Sequence, residues 1–90
     1  MIVVDLTMVE KELRKVPKHI RDKLYLWSEQ IRFEGLRCVR RTPSWHDEPL
    51  KGKRKGQRSI RLSKSYRAIY KVNEVENITV IVIELSKHRY

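Results

Sequence analysis

The sequence predicts an α+β fold with the element order β-α-α-β-β-β, in which an N-terminal helical hairpin covers one face of a small, mainly antiparallel sheet. Two observations support this class. Apolar residues recur at helical spacing in the first third of the chain, whereas they alternate with polar residues or run continuously in the last third. Because 90 residues allow one modest core, we expect a single domain over residues 1–90.

The first third is predicted to form a short strand and two helices. Residues 2–6 are a short apolar run, and Thr7 and Glu10 have the spacing of a capping box at a helix start. The first helix is expected to end near Pro17, and its apolar residues are Val9, Leu13 and Val16. The second is predicted over residues 18–34, with Gly35 just beyond its end. Its apolar stripe, expected in the core, is Ile20, Leu24, Trp27 and Ile31.

The middle of the chain is predicted to lack regular structure. Residues 36–49 are expected to form a loop, because Pro43 and Pro49 interrupt any helix or strand. Trp45 and His46 could stack on RNA bases here, but a Trp45 that folds back on the core is the favoured interpretation. Residues 50–56, which we call the basic loop, alternate glycine with cations and are predicted to be mobile.

The last third is predicted to form an antiparallel meander. Residues 58–62 and 66–70 have the pattern of two strands, joined by the polar turn Ser63, Lys64 and Ser65. Residues 78–85 are β-branched and apolar on both faces, which indicates a central strand. Short turns join these strands, so we expect them to be neighbours in one sheet.

Alternation along the first two of these strands predicts a cationic surface. If Ile60 and Ala68 face the core, Arg61 and Arg67 emerge together on the opposite side of the sheet. Two guanidinium groups on a rigid sheet can clamp a phosphate, since each offers a fixed fork of donors and a permanent charge. The alternative is an ordinary hairpin with solvated arginines.

The distribution of charge favours a polyanion as the ligand. The net charge is +10, and residues 49–73 contain nine lysines and arginines but no acidic residue. A general solubilising surface would spread this excess along the chain, whereas a nucleic-acid surface concentrates it. The candidate binding residues for RNA or the ribosome are Lys51, Lys53, Arg54, Lys55, Arg58 and Lys64.

Several other classes are disfavoured by composition. The N-terminus lacks the basic and long apolar regions of a signal peptide, and the longest apolar run is too short to span a bilayer. A single cysteine, Cys38, excludes an intramolecular disulfide and fits a reducing cytosol. With three scattered histidines, of which His19 is interpreted as structural, a closed zinc site is not expected, and no cofactor is predicted.

Four segments resemble toxins of the RelE/ParE superfamily, and most of all the RelE, YoeB and HigB-like branches. The segments are Glu48-Pro49-Leu50-Lys51, Arg58-Ser59-Ile60-Arg61-Leu62, Tyr66-Arg67-Ala68-Ile69-Tyr70 and the terminal Lys87-His88-Arg89-Tyr90. The resemblance implies a bacterial, cytoplasmic toxin of a type II toxin–antitoxin system, with a RelE-like fold. Such a toxin enters the ribosomal A site and cleaves mRNA there until a cognate antitoxin neutralises it.

The resemblance also implies roles for individual residues. Arg67 would contact the scissile phosphate with Arg61 beside it, and a C-terminal His88 or Tyr90 would complete the site. Glu48 matches the glutamate that serves as base in the YoeB-like branch. YoeB-like chains end in adjacent histidine and tyrosine, whereas Arg89 separates them here, which is more HigB-like.

The residues support the same chemistry on their own. RNA cleavage without a metal needs a base for the 2′-hydroxyl, positive charge for the phosphate and an acid for the leaving oxygen. Arg61 and Arg67 could supply the charge. His88 is the nearby candidate whose ordinary pKa suits proton transfer at neutral pH, and Glu48 or Tyr90 could act as base, while which of the three is the acid stays open. The expected product is a cyclic phosphate.

Two other functions compete with a ribosome-dependent endoribonuclease. A ParE-like toxin would poison DNA gyrase without catalysis, but such chains usually lack a C-terminal His/Tyr pair. An inactive RNA- or ribosome-binding module is the other, and an intact Arg61, Arg67 and His88 set disfavours it.

Overall fold

The structure, a computed structural model, describes residues 2–75 and 77–87. Its strands are β1 (Ile2–Asp5), β2 (Glu48–Pro49), β3 (Arg58–Arg61), β4 (Tyr66–Asn73) and β5 (Ile78–Lys87). Its α-helices are α1 (Glu10–Lys15), α2 (Lys18–Glu34) and α3 (Leu36–Arg40). The strands form one sheet in the order β1-β5-β4-β3-β2, in which only β1 and β5 are parallel. The predicted α+β class and mainly antiparallel sheet are confirmed.

The helical hairpin forms where the sequence predicts it. Helix α2 occupies residues 18–34, and the amide of Gly35 donates to the carbonyl oxygen of Ile31 at 2.9 Å to close its last turn. Gly35 has φ 88°, a left-handed backbone that costs glycine little. The Arg21 guanidinium donates to the carbonyl oxygens of Leu13 and Val16, so α2 also satisfies orphan acceptors at the end of α1.

The core lies between α2 and one face of the sheet, which we call the inner face. The predicted stripe of α2 is fully buried, with Ile20, Leu24, Trp27 and Ile31 all at 0% exposure. The sheet contributes buried side chains from β3, β4 and β5, namely Ile60, Ala68, Tyr70, Val80 and Val82. The Trp27 and Tyr70 rings pack at a centroid distance of 5.1 Å and a tilt of 56°. Strand β5 lies between β1 and β4, which agrees with its predicted apolar character on both faces.

The prediction of a loop over residues 36–49 is wrong in part. This segment contains α3, a 3₁₀ turn over Pro43–Trp45 and the two-residue strand β2. Leu36 and Val39 are three residues apart, so they lie on one side of a helix, and both are buried. Their burial stabilises α3 although the helix is short. The observed order is therefore β-α-α-α-β-β-β-β, with one helix and one strand more than predicted.

The predicted capping box is also absent. Thr7 lies in a 3₁₀ turn, Thr7–Val9, that precedes α1, and neither helix start carries a side-chain cap. The Thr7 hydroxyl and amide both donate to Asp5 Oδ1, at 2.7 and 2.9 Å. These hydrogen bonds lower the pKa of Asp5. A nearby carboxylate competes with the helix for the threonine, which spacing alone does not reveal. No helix in the described residues is long and apolar enough to cross a membrane.

Ser28 provides a test of the packing on α2. Its side-chain oxygen is buried and has no hydrogen-bond partner within the described residues. We expect Ser28→Ala to raise the free energy of unfolding by about 0.5–1 kcal/mol, because alanine removes a buried unsatisfied hydroxyl and favours the helix. Urea unfolding of both proteins measures the difference, and a destabilised variant would contradict this account of the core.

Candidate functional site

The two arginines predicted to form a clamp are direct neighbours across β3 and β4. The register pairs Arg61 with Arg67, and it continues to Ser86 on β5. Both lie on the side of the sheet away from the helices, which we call the outer face, because their neighbours Ile60 and Ala68 are buried in the core. The Arg67 guanidinium donates to Ser59 Oγ at 3.3 Å, which orients its head group toward β3.

A second row of outer-face side chains runs beside this pair. The register aligns Glu48 on β2 with Ser59 on β3, Ile69 on β4 and Glu84 on β5. Glu48 is solvent exposed, whereas Ser59 is only 4% exposed. Because Ser59 accepts a hydrogen bond from Arg67, the structure brings Glu48, Arg61 and Arg67 to one region of the outer face.

The basic loop has defined local structure and contacts the outer face through Arg54. It contains a 3₁₀ turn, Gly52–Arg54, and the amide of Leu50 donates to the carbonyl oxygen of Gln57 at 2.9 Å. Arg54 donates to the Gln57 side chain at 3.0 Å and to Glu84 Oε1 at 2.7 Å. Glu84 is on β5 and is the register partner of Ile69, so this ion pair lies on the outer face.

A buried apolar residue also lies on the outer face. Ile69 is only 8% exposed, although it is outside the continuous core on the inner face. Its register partner on β5 is Glu84, which pairs with Arg54 of the basic loop. The remaining cations of the loop, Lys51, Lys53 and Lys55, are exposed, as is Lys64 in the hairpin turn.

A network of hydrogen bonds lies on the inner face behind this surface. The Asp47 carboxylate, 1% exposed, accepts from Arg58 Nε at 2.5 Å and from the Tyr70 hydroxyl at 2.5 Å. Arg40 Nε on α3 donates to the same hydroxyl at 3.3 Å. We call these four side chains the buried network. Arg58 therefore faces inward with a carboxylate partner, away from the surface that holds Arg61 and Arg67.

The surroundings shift the pKa of two members of the buried network. Burial raises the pKa of Tyr70 to about 12, and the hydrogen bond to Asp47 adds to this, while Arg40 opposes it. Burial lowers the pKa of Arg58, but the hydrogen bond and charge of Asp47 outweigh it, so the net shift is upward. At neutral pH Tyr70 is thus a neutral donor and Arg58 a cation.

The other aromatic candidate is part of the core. Trp45 is 2% exposed, its indole N–H donates to Gln30 Oε1 at 2.9 Å, and Lys23 Nζ lies 5.1 Å from its ring centroid. The favoured interpretation of Trp45 is confirmed, and it offers no stacking surface. His46 is exposed with a left-handed backbone, φ 46°.

Two predicted site residues, His88 and Tyr90, lie outside the described residues. The described part of β5 ends at Lys87, which pairs with Tyr66, one position from Arg67. Within residues 2–75 and 77–87 there is no cluster of three or more potential metal ligands.

Asp47, Glu84 and the role of Tyr70 as a hydrogen-bond partner were not predicted from the sequence. A signal for one of them existed. In an extended segment, successive side chains point to opposite faces, so an outward Glu48 implies an inward Asp47. The same alternation places Arg58 with Ile60, on the inner side.

With this geometry established, comparison with known proteins identifies the fold family. No protein-family model and no curated protein sequence matches the chain. Among solved structures, it is similar to one of the RelBE2 toxin–antitoxin complex of Mycobacterium tuberculosis, with 25% identity, 97% and 96% of the two chains covered and a TM-score of 0.68.

Two further solved structures are similar over nearly the whole chain. A YoeB/ParE toxin of Agrobacterium tumefaciens is 22% identical, with 98% of each chain covered and a TM-score of 0.60. YafQ of Escherichia coli is 14% identical, with 97% of this chain and 93% of that chain covered and a TM-score of 0.66. These likenesses confirm the resemblance: the chain has the fold of the RelE/ParE superfamily of toxins.

The raised pKa of Tyr70 predicts a loss of stability at high pH. The unfolded chain releases the tyrosine proton near pH 10 and the folded protein near pH 12, so stability falls between these values by about 1.4 kcal/mol per pH unit. Tyr70→Phe lacks this titration. We therefore expect the stability advantage of the parent over the variant to shrink by about 1 kcal/mol from pH 10 to pH 11 in urea unfolding, because the unfolded tyrosine is only half ionised at pH 10. An unchanged advantage would contradict the assigned environment of Tyr70.

Proposed function

We propose that this protein is a toxin of a toxin–antitoxin system that cleaves mRNA in the ribosomal A site, as a metal-independent endoribonuclease. One observation carries the proposal. Arg61 and Arg67 stand directly opposite each other on the outer face, and within the described residues neither has an acidic partner. Like charges in directly opposed positions destabilise a sheet, so this placement is understandable if the pair binds an anion.

The contrast with the neighbouring arginines supports this interpretation. Arg54 and Arg58 each form an ion pair, with Glu84 and Asp47 respectively. Arg67 instead has a neutral hydroxyl, Ser59, as its partner, which orients the guanidinium without cancelling its charge. A positive, preoriented donor is what a phosphate in a charged transition state requires.

The proposed reaction is an attack of the 2′-hydroxyl on the adjacent phosphorus. Glu48 takes the 2′ proton as the new P–O bond forms, and the bond from phosphorus to the 5′ oxygen breaks. The leaving oxygen takes a proton from His88, a role assigned on the sequence alone, and the products are a 2′,3′-cyclic phosphate and a 5′-hydroxyl. Arg61 and Arg67 stabilise the negative charge on the phosphate oxygens. Tyr90 is the alternative base.

The exposed lysines are proposed to hold the toxin on the ribosome. Lys51, Lys53 and Lys55 of the basic loop, with Lys64 on the hairpin, surround the outer face without an acidic partner in the described residues. Arg58 is left out of this surface, because it is bonded to Asp47 on the inner face.

The proposed protein partner is a cognate antitoxin. One of the similar solved structures is a toxin–antitoxin complex, which supports an antitoxin here as well. An acidic segment that covers the Arg61 and Arg67 surface would block RNA and associate rapidly, because opposite charges steer the encounter.

The catalytic assignment predicts the effect of changing Arg67. Arg67→Ala should reduce cleavage by roughly a hundredfold to a thousandfold, because it removes a donor to the transition state. Arg67→Lys should restore only part, since an ammonium keeps the charge but loses the planar fork. The measurement is single-turnover cleavage of mRNA on programmed ribosomes, with ribosome binding assayed on the same proteins.

Different outcomes identify the competing functions. Ribosome binding should survive both changes at Arg67, and mRNA without ribosomes should stay intact. If Arg67→Ala cleaves at the parental rate, these arginines are not the catalytic centre. If the parent cuts no RNA but inhibits gyrase, the ParE-like alternative is correct.

The basic loop allows binding to be separated from cleavage. Lys53→Gln combined with Lys55→Gln should weaken ribosome binding. The slope of log affinity against log salt should become less steep by about 1–2, because fewer counterions are released on binding when phosphate contacts are lost. The cleavage rate of bound complexes should change little. The matched control is Lys11→Gln with Lys15→Gln, which removes two exposed charges from α1. Equal salt slopes for the two pairs would exclude the basic loop as the docking surface.

A further inference from the structure

Asp47 and Glu48 are consecutive residues that point to opposite faces of the sheet. Asp47 is held on the inner face by Arg58 and Tyr70, which are themselves register partners on β3 and β4. Glu48 pairs in register with Ser59 on the outer face. Because side chains alternate along a strand, whatever fixes Asp47 inward also fixes Glu48 outward.

The backbone alone gives β2 little hold on the sheet. The strand has two residues, Glu48 and Pro49, and proline has no N–H to donate to β3. His46, just upstream, has a left-handed backbone that non-glycine residues rarely adopt. A slip of one residue in such a short strand would turn Glu48 to the inner face.

The hydrogen bonds of Asp47 can fix β2 in its register against β3. Its two carboxylate oxygens have separate donors, Arg58 Nε and the Tyr70 hydroxyl, and the first is charge-assisted. Tyr70 is itself fixed, since its ring packs on Trp27 and its hydroxyl accepts from Arg40. Asp47 is therefore attached at two points to the two strands that carry Arg61 and Arg67.

We propose that Asp47, held by Arg58 and Tyr70, is the positioning residue for Glu48, and that it sets the register of β2 so that the Glu48 carboxylate faces the phosphate held by Arg67. This inference rests on the proposed function. It assigns the carboxylate at residue 47 a task distinct from the base at residue 48: Asp47 acts through Glu48 and never touches RNA.

The test is a double-mutant cycle on cleavage. Asp47→Asn keeps the shape, but its amide can accept at one position only, so one of the two donors loses its partner. We expect Asp47→Asn to slow single-turnover cleavage on programmed ribosomes by roughly tenfold to a hundredfold, as for a misplaced catalytic group. In a Glu48→Gln background, the same change should cause little further loss, because the group that it positions is gone.

One control and one further variant separate an effect on the position of Glu48 from an effect on stability. The control is Ile31→Val, which changes a buried core residue near the end of α2. It should destabilise the protein without changing cleavage by the folded protein. Tyr70→Phe removes one of the two Asp47 donors but keeps the ring against Trp27, so it tests the same link if Asp47→Asn fails to fold. It should slow cleavage by about three- to tenfold, and again only when Glu48 is present.

A structural readout keeps this proposal distinct from the proposed function. The Leu50 amide, which donates to Gln57 at the end of β2, should exchange with solvent faster in Asp47→Asn and Tyr70→Phe than in Ile31→Val. If the parent cleaves no RNA, the proposed function fails. Faster exchange of the Leu50 amide in these variants would still show that Asp47 holds β2 in the sheet. The proposal would be overturned if Asp47→Asn and Tyr70→Phe both cleave at the parental rate. It would also be overturned if the loss of cleavage rate in each simply multiplies with the loss caused by Glu48→Gln.

Discussion

The helices cover one face of the sheet only, and this asymmetry is the constraint on which the rest of the structure depends. Every second side chain of β3 and β4 enters a core that includes Trp27, and every other one must leave it. The burial of Ile60 and Ala68 therefore places Arg61 and Arg67 on the outer face. The hydrogen bond to Ser59 then orients the Arg67 guanidinium there. Packing of apolar groups on one side thus creates a charged surface on the other.

The parts of the structure that follow from this alternation could be predicted from the sequence. Three such features depend on the local periodicity of apolar residues, which neighbours in the sequence define. They are the apolar stripe of α2, the β3–β4 hairpin and the shared face of Arg61 and Arg67. Period assigns a side chain to a face, but it does not identify its partner. Arg54 and Arg61 are similar as sequence features, and only the folded chain brings Glu84 to Arg54.

The elements that were missed are short and depend on distant contacts. Helix α3 has five residues and strand β2 has two, so neither contains enough positions to display a period. The ion pair between Arg54 of the basic loop and Glu84 on β5 is likewise a contact that the glycines and lysines of the loop do not predict. Composition cannot report such a pair, because it depends on how the folded sheet brings Glu84 close to the loop.

The parallel pairing of β1 with β5 also affects the order of folding. Ile2 pairs with Ile78, so two strands from opposite ends of the sequence are neighbours in the sheet. β5 also supplies the only described neighbour of β4 on that side. During synthesis, β1 can therefore take its place in the sheet only after β5 has been made. The pairing of β2, β3 and β4, which carries the arginines, joins nearer neighbours in the sequence and can form before β1 enters the sheet.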